Sequence, residues 1–236
     1  MKIELCASSV DAIKLAKEYE VDRVELCQVL EFGGVTPSPG IIEYAIAYGL
    51  ETHVLVRPRP GGFIYSEEEK EIMLRNVLEC KELGASGVVV GALNAFGDID
   101  VEFLELVRKK VGGDLQITFH RAFDDTFDHE RSLNFLINAG VDRVLSSGMG
   151  RNVDIGLEIL KQMKAFSAGR IEIMPGGGVN VNNIPKLIKE VDPDAIHFSG
   201  TVKRSIDEDS KFKEDLLMPD EAKIVRMIEE IRKWTV

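Results

Sequence analysis

The chain alternates short apolar segments of strand character with amphipathic helical patterns, and it does so eight times. Strand-like segments fall at 3–7, 23–28, 51–57, 87–93, 116–123, 143–148, 170–174 and 195–199. Most are rich in Val, Ile and Leu, as strands covered on both faces tend to be. Helical patterns occupy 9–20, 39–48, 67–83, 100–111, 129–139, 152–166, 181–191 and 219–234. Strands separated by helices return by crossovers and therefore run parallel. Eight such units in 236 residues predict closure into a single-domain (β/α)8 TIM barrel spanning residues 1–236. No interdomain linker is visible. The polar stretch 203–219 reads as a mobile inserted loop over one end, ahead of the last helix. Ser66 and Glu69 have capping-box spacing at the start of the third helix. Gly49, Gly84, Gly112, Gly140 and Gly169 each follow a helical pattern.

Charge narrows the function. Forty acidic against 29 basic residues give a formal net charge of −11, which disfavours a nucleic-acid binder that must neutralise phosphates. No apolar run approaches the ~18 residues that span a bilayer. The N-terminus has no basic stretch followed by a long apolar run, so no signal peptide is read. Three cysteines are too few for a disulfide framework. The expectation is a cytoplasmic protein with no membrane and no nucleic-acid partner.

Side chains alternate along a strand. Ile3-Glu4-Leu5-Cys6 and Val24-Glu25-Leu26-Cys27 each put a carboxylate and a thiol on one face. The same alternation predicts that Glu4, Glu25, His53, Arg57, His120, Glu172 and His197 face the barrel axis. Burying so many ionisable groups is costly unless they pair. They either satisfy one another as salt bridges or line a polar pocket at the C-terminal face, where barrel enzymes carry their chemistry.

Several motifs sit at that face. Arg57-Pro58-Arg59-Pro60-Gly61-Gly62 puts two guanidinium groups at a strand end, suited to phosphate or carboxylate. Pro175-Gly176-Gly177-Gly178 and Ser199-Gly200-Thr201 follow strands seven and eight, where phosphate sites of this fold are often built. His120-Arg121, with Asp124 and Asp125 beyond, offers an imidazole for general-base work or metal ligation and a further cation for an anion. Cys6 and Cys27, on strands about 4.8 Å apart, could share one soft ion such as Cu(I), or could be two small buried apolar residues. Cys80 falls on the apolar stripe of helix three with Met73 and Val77 and reads as core. Zinc spacing, a nucleophile elbow and a P-loop are absent.

Taken together, Glu4-Leu5-Cys6-Ala7, Val24-Glu25-Leu26-Cys27, Gly33-Gly34-Val35-Thr36-Pro37-Ser38, Arg57-Pro58-Arg59, Phe63-Ile64-Tyr65-Ser66, Thr118-Phe119-His120-Arg121-Ala122-Phe123-Asp124, Ile173-Met174-Pro175-Gly176-Gly177-Gly178-Val179 and His197-Phe198-Ser199 resemble the copper homeostasis protein family CutC. The resemblance runs from residue 3 to about 200. It implies a cytoplasmic β/α barrel, usually a homo-oligomer, that binds Cu(I) through the cysteines matching Cys6 and Cys27. The family usually carries Gly-Gly-Asp where this chain has Pro60-Gly61-Gly62, so a loop acid does not carry over.

Two expectations follow. The first is a copper-handling protein with Cys6 and Cys27 as ligands and no organic cofactor. The second is an isomerase- or lyase-like enzyme acting on a small phosphorylated or carboxylated metabolite. There Glu4, Glu25, His120 and Glu172 form the catalytic set, while Arg57, Arg59, Arg121, Gly176, Gly177, Gly178, Ser199 and Gly200 hold the anion. No strand places a lysine for a Schiff base.

Overall fold

The computed structural model describes residues 1–206, 211 and 214–234. Eight parallel strands are wound with helices in strict alternation: β1 (Lys2–Ala7), α1 (Val10–Glu18), β2 (Arg23–Leu26), α2 (Pro39–Ala47), β3 (Thr52–Leu55), α3 (Glu67–Glu82), β4 (Gly87–Val90), α4 (Val101–Val111), β5 (Gln116–Phe119), α5 (His129–Asn138), β6 (Arg143–Ser146), α6 (Leu157–Ser167), β7 (Glu172–Pro175), α7 (Ile184–Val191) and β8 (Ala195–Phe198). The strands hydrogen-bond in the order β7-β6-β5-β4-β3-β2-β1-β8. This is the expected (β/α)8 TIM barrel.

The remaining seam, between β7 and β8, has a chemical cause. Asp194 closes its lower end: its N–H donates to the Ile173 carbonyl at 3.1 Å and its carboxylate accepts the Ile173 N–H at 2.8 Å. Two residues on, Pro175 has no N–H to offer in the same direction.

The main apolar core lies between sheet and helices, with Leu5, Val24, Val54, Val88, Ile117, Val144, Ile173 and Ile196 pointing outward into it. The opposite faces form the interior, whose apolar patches are small: Cys6, Cys27, Leu55 and Val89 in one, Leu145, Met174 and Ala195 in another. Helix ends follow the sequence signals. Ser66 and Glu69 form a reciprocal capping box on α3, and Gly84 ends that helix at φ 87°, a conformation glycine adopts at little cost.

The structure differs from the sequence expectation most consequentially in three places. The stretch 203–219 is not a bare loop. Strands β9 (Thr201–Ile206) and β10 (Glu214–Pro219) form an antiparallel hairpin before α8 (Glu221–Arg232). Thr201 and Val202 facing Met218 and Pro219, with Leu216 and Leu217 alongside, supply strand-compatible flanks for the charged middle. A Lys203–Asp215 ion pair of 2.9 Å links the two strands. The hairpin docks on the segment after β2 through the Leu217 N–H, which donates to the Glu31 carboxylate at 2.7 Å. Residues 207–210 and 212–213 of that stretch lie outside the described residues.

Strand five is also shorter than expected. It leaves the ladder at Phe119, and Arg121–Asp125 form a 3-10 turn. Strand alternation therefore stops before Arg121, and the turn redirects its side chain to the barrel mouth. Finally, the two Glu-Leu-Cys segments are staggered rather than level. Cys6 pairs with Glu25, and Cys27 lies beyond the paired segment, its N–H donating to the Ala7 carbonyl at 3.0 Å. Tilted barrel strands require such stagger.

Candidate functional site

A chain of buried charges runs up the inside of the barrel. At its base Arg23, wholly buried, donates its Nε–H to the Glu4 carboxylate and lies 3.6 Å from Glu51. The other Glu4 oxygen lies 2.7 Å from Nδ1 of His197, whose Nε2 stands 3.3 Å from the Glu25 carboxylate. Burial alone pushes the Glu4 pKa up, but the His197 hydrogen bond and the Arg23 charge outweigh it and hold the carboxyl well below the usual range. For Glu25 the balance goes the other way: burial raises its pKa and the Glu4 charge adds to it, outweighing His197 and the Cys6 hydrogen bond. For His197 burial disfavours the imidazolium, yet the Glu25 and Glu4 carboxylates outweigh it and raise the pKa. Two carboxylates in one shaft are thus driven in opposite directions, a pattern that separates structural anchors from proton carriers.

Above Glu25 the two thiols meet. Cys6 Sγ and Cys27 Sγ are 3.7 Å apart, both buried. The hydrogen bond to Cys27 and burial together raise the Cys6 thiol well above its ordinary pKa. Cys6, Glu25 and His197 each bring one ligand atom within 4.8 Å of the others. With metal–thiolate bonds of about 2.3 Å, one ion can reach both sulfurs at this separation. Sulfur suits a soft ion, so the two thiols fit copper in its reduced state, with the His197 imidazole in reach of Cys6. Glu4 completes the carboxylate–histidine arrangement that orients a ligating ring.

This floor opens into a cavity of ≈ 420 Å³ at the C-terminal mouth, a size usual for small-molecule sites. One wall stacks Arg57, Phe63 and His120. The Arg57 guanidinium lies 5.2 Å from the Phe63 ring centre, and that centre lies 4.9 Å from the His120 ring. Arg57 donates to the carbonyls of Phe32, Gly34 and Gly61 at 2.7–3.1 Å, while its Nε is buried without a partner.

His120 is fixed in one tautomer. Its Nδ1 accepts the Ala122 N–H at 3.0 Å, so Nε2 carries the proton of the neutral ring. Burial, with the Arg57 charge beside it, drives its pKa down to about 3. The ring is therefore a neutral donor at neutral pH, and its only lone pair is already used. This geometry suits polarising or holding an oxygen and opposes the general-base role expected from the sequence. Room for the ring comes from Gly91, just after β4, where a Cβ would overlap the His120 imidazole; Gly87 likewise makes room for the His53 ring, 2.6 Å from where its Cβ would stand.

The opposite side carries Arg121 and the segments after β7 and β8. Arg121 donates Nε–H to Asp124 at 2.8 Å and Nη2–H to Ser147 at 2.9 Å. Asp124 also accepts from Ser146 and from the Ser147 and Met149 amides, which makes it a rigid anchor. Gly177, Gly178 and Ser199 line the same side, and Lys223 of α8 reaches in.

The structure thus gathers Cys6, Glu25, Cys27, Arg57, His120, Arg121, Gly177, Gly178 and Ser199 around one cavity, with Glu4 beneath it. Four expected residues stand elsewhere. Glu172 begins β7 at the opposite end of the barrel and pairs with Arg143 at 2.6 Å. Arg59 pairs with Glu69 and donates to the carbonyls of Pro60, Gly62 and Ile64. Gly176 lies against Leu145 and His197, and Gly200 against Ile224.

The sequence reading did not single out Arg23 or Arg143, both wholly buried. The signal was present: Arg23 precedes Glu25 by two residues and shares its face. His197 was placed inward but not assigned to the site.

Comparison with known proteins agrees with this fold. Residues 1–202 match the family model described as CutC family. A CutC family protein of Glaesserella parasuis is 39% identical over 205 residues, covering 86% of this chain and 84% of the relative. One of Bacteroides thetaiotaomicron is 39% identical over 216 residues, covering 91% and 86%. A Streptococcus agalactiae CutC structure, assigned by name to copper homeostasis, superposes with TM-score 0.79 at 32% identity, covering 84% of this chain and 98% of that one. N-(5'-phosphoribosyl)anthranilate isomerase of Pyrococcus furiosus shares the fold at TM-score 0.60 and 13% identity, covering 99% of each chain. Among the described residues no helix is long and apolar enough to cross a membrane.

Proposed function

This chain belongs to the CutC family, and from that premise we propose that it acts in copper homeostasis, holding Cu(I) between the Cys6 and Cys27 thiolates with the His197 imidazole alongside. The observation that carries this reading is the 3.7 Å approach of two buried sulfurs beside a histidine ring held from behind by Glu4. Both sulfurs sit on rigid barrel backbone, so the site is preorganised rather than assembled on binding. Without metal the raised Cys6 pKa keeps its proton in place. Uptake of Cu(I) displaces the thiol protons and, because the Glu25 and Glu4 carboxylates raise the His197 pKa, the imidazolium proton at Nε2, so affinity rises with pH.

The test is an anaerobic Cu(I) titration against a competing chelator, on the unaltered protein and on Cys27→Ser. Loss of one of two thiolate ligands is expected to weaken binding at least about a hundredfold. Equal affinity in the two proteins removes the site.

A further inference from the structure

The thiols account for the floor of the cavity but not for its walls. Three cations, Arg57, Arg121 and Lys223, line it, and among the described lining residues Glu25 alone carries a carboxylate, with Asp124 paired to Arg121 behind the wall. This positive interior stands in a chain whose net charge is −11. A lone monovalent metal cation gives no reason for it, since like charge raises the cost of loading the ion.

The unpartnered donors indicate what the walls receive. His120 Nε2 is buried and lacks a hydrogen-bond partner among the described residues. A buried donor left unpaired is destabilising, so such a group in a cavity wall marks a ligand acceptor. Arg121 uses Nε and Nη2 on Asp124 and Ser147, and its Nη1 has no hydrogen-bond partner among the described residues. That nitrogen faces the bare backbone of Gly177, where a Cβ would stand 3.0 Å away. Gly177 adopts φ 95° and Gly178 φ 82°. Neither amide N–H donates to a protein backbone acceptor among the described residues. Between these polar ends the lining is apolar, with Leu30, Leu55, Phe63, Leu145 and Phe198. Inorganic ions alone do not need such a surface; a short carbon skeleton does.

We propose that the cavity binds a small organic oxyanion, its charged group taken by Arg121 and the Gly177–Gly178 amides, and a second oxygen accepting from His120 Nε2. The ligand then bridges the mouth from the β7 side to the β3–β5 wall, over Glu25. This reading is independent of copper and stands or falls on metal-free protein.

The probes are 2-phosphoglycolate, inorganic phosphate and glycolate, titrated calorimetrically into chelator-treated protein at constant ionic strength and pH 7. 2-Phosphoglycolate is expected to bind with Kd below about 1 mM and more tightly than either fragment. If phosphate outbinds glycolate, the charged pole is a phosphate site; if glycolate outbinds phosphate, it is a carboxylate site. Either result supports an oxyanion. His120→Asn keeps an acceptor for the Ala122 amide but removes the Nε2 donor. It is expected to weaken 2-phosphoglycolate about tenfold, as is Arg121→Gln. Arg59→Ala, outside the cavity, leaves the affinity unchanged. The His120 ring nitrogens, followed by 15N NMR in the unaltered protein, should shift on saturation. Absence of binding by all three probes overturns the proposal. So does saturable binding that leaves the His120 resonances unmoved, or an affinity unchanged in both folded variants.

Discussion

The Nδ1 atom of His197 lies 2.7 Å from Oε1 of Glu4, and this contact determines what the other side of the ring can do. With Nδ1 engaged below, Nε2 faces Glu25, and Cys6 lies within ligand reach of the ring. The ring is oriented by a carboxylate that is itself held by the buried Arg23.

Glu4→Gln tests that support. The substitution leaves the buried Arg23 with only Glu51, 3.6 Å away, as counter-charge, and removing one partner of a buried pair costs up to about 3–5 kcal/mol. Urea unfolding should register that loss. In protein that remains folded, Cu(I) affinity should drop about 10–100-fold with both thiols present, the usual cost of removing an orienting partner. Unchanged affinity would show that His197 takes no part in metal binding.

Stability should fall as pH rises above neutrality. The folded-state pKa of His197 is raised, so the folded state binds that proton more tightly than the unfolded state. The stabilisation is complete below the unfolded value of about 6.5 and disappears as pH rises through the folded value. Glu25 is raised too and acts in the same direction from a lower pH. Glu25→Gln removes one of the charges that raise His197, so its stability should decline less between pH 6.5 and 9. Chemical denaturation across that range measures both slopes.

His120 produces the opposite dependence on the acid side. Its folded pKa of about 3 lies below the unfolded value, so the unfolded state binds the extra proton. Each pH unit below 6.5 therefore costs up to about 1.4 kcal/mol of stability until the folded value is reached. Asn does not titrate, so His120→Asn should flatten this limb. An acid unfolding curve identical to that of the unaltered protein would contradict the buried neutral ring.

Gly91→Ala should damage the wall. The new methyl group has no space beside His120, and overpacking of this kind costs about 1–3 kcal/mol. Displacement of the imidazole should weaken 2-phosphoglycolate binding as strongly as His120→Asn does. Thermal melts and calorimetry on one preparation check both.

Glu172→Gln and Arg59→Ala serve as controls. Glu172 neutralises Arg143 at the far end of the barrel, and Arg59 ties its loop to α3. Both substitutions should lower stability, the first more because Arg143 is wholly buried. Neither should change Cu(I) or oxyanion affinity. A large change in either affinity would mean that the far end of the barrel, or the loop that Arg59 holds, shapes the cavity.

Much of this was legible in the chain. The eightfold rhythm carries the barrel, because a segment that alternates with helices has one economical way to bury both faces. Alternation along the strands placed Glu4, Glu25, Arg57, His120 and His197 inside, since one slipped residue would turn a charge into the helix layer. It could not sort these groups by height. Glu172 and His120 share the interior, yet one opens β7 at the base and the other stands at the mouth. Strand stagger sets that height, and the sequence does not display it.

The order of residue types fixed the fold class, the inward faces and the two cysteine-bearing strands, because periodicity and propensity act along the chain. Three features awaited the folded molecule: the partner of each buried charge, the His120 nitrogen that keeps its proton, and the cations that share a cavity with the thiols. The first and third depend on atoms distant in sequence and brought within about 3–4 Å, where hydrogen bonding and desolvation take effect; the second depends on the turn that aims the Ala122 amide at Nδ1.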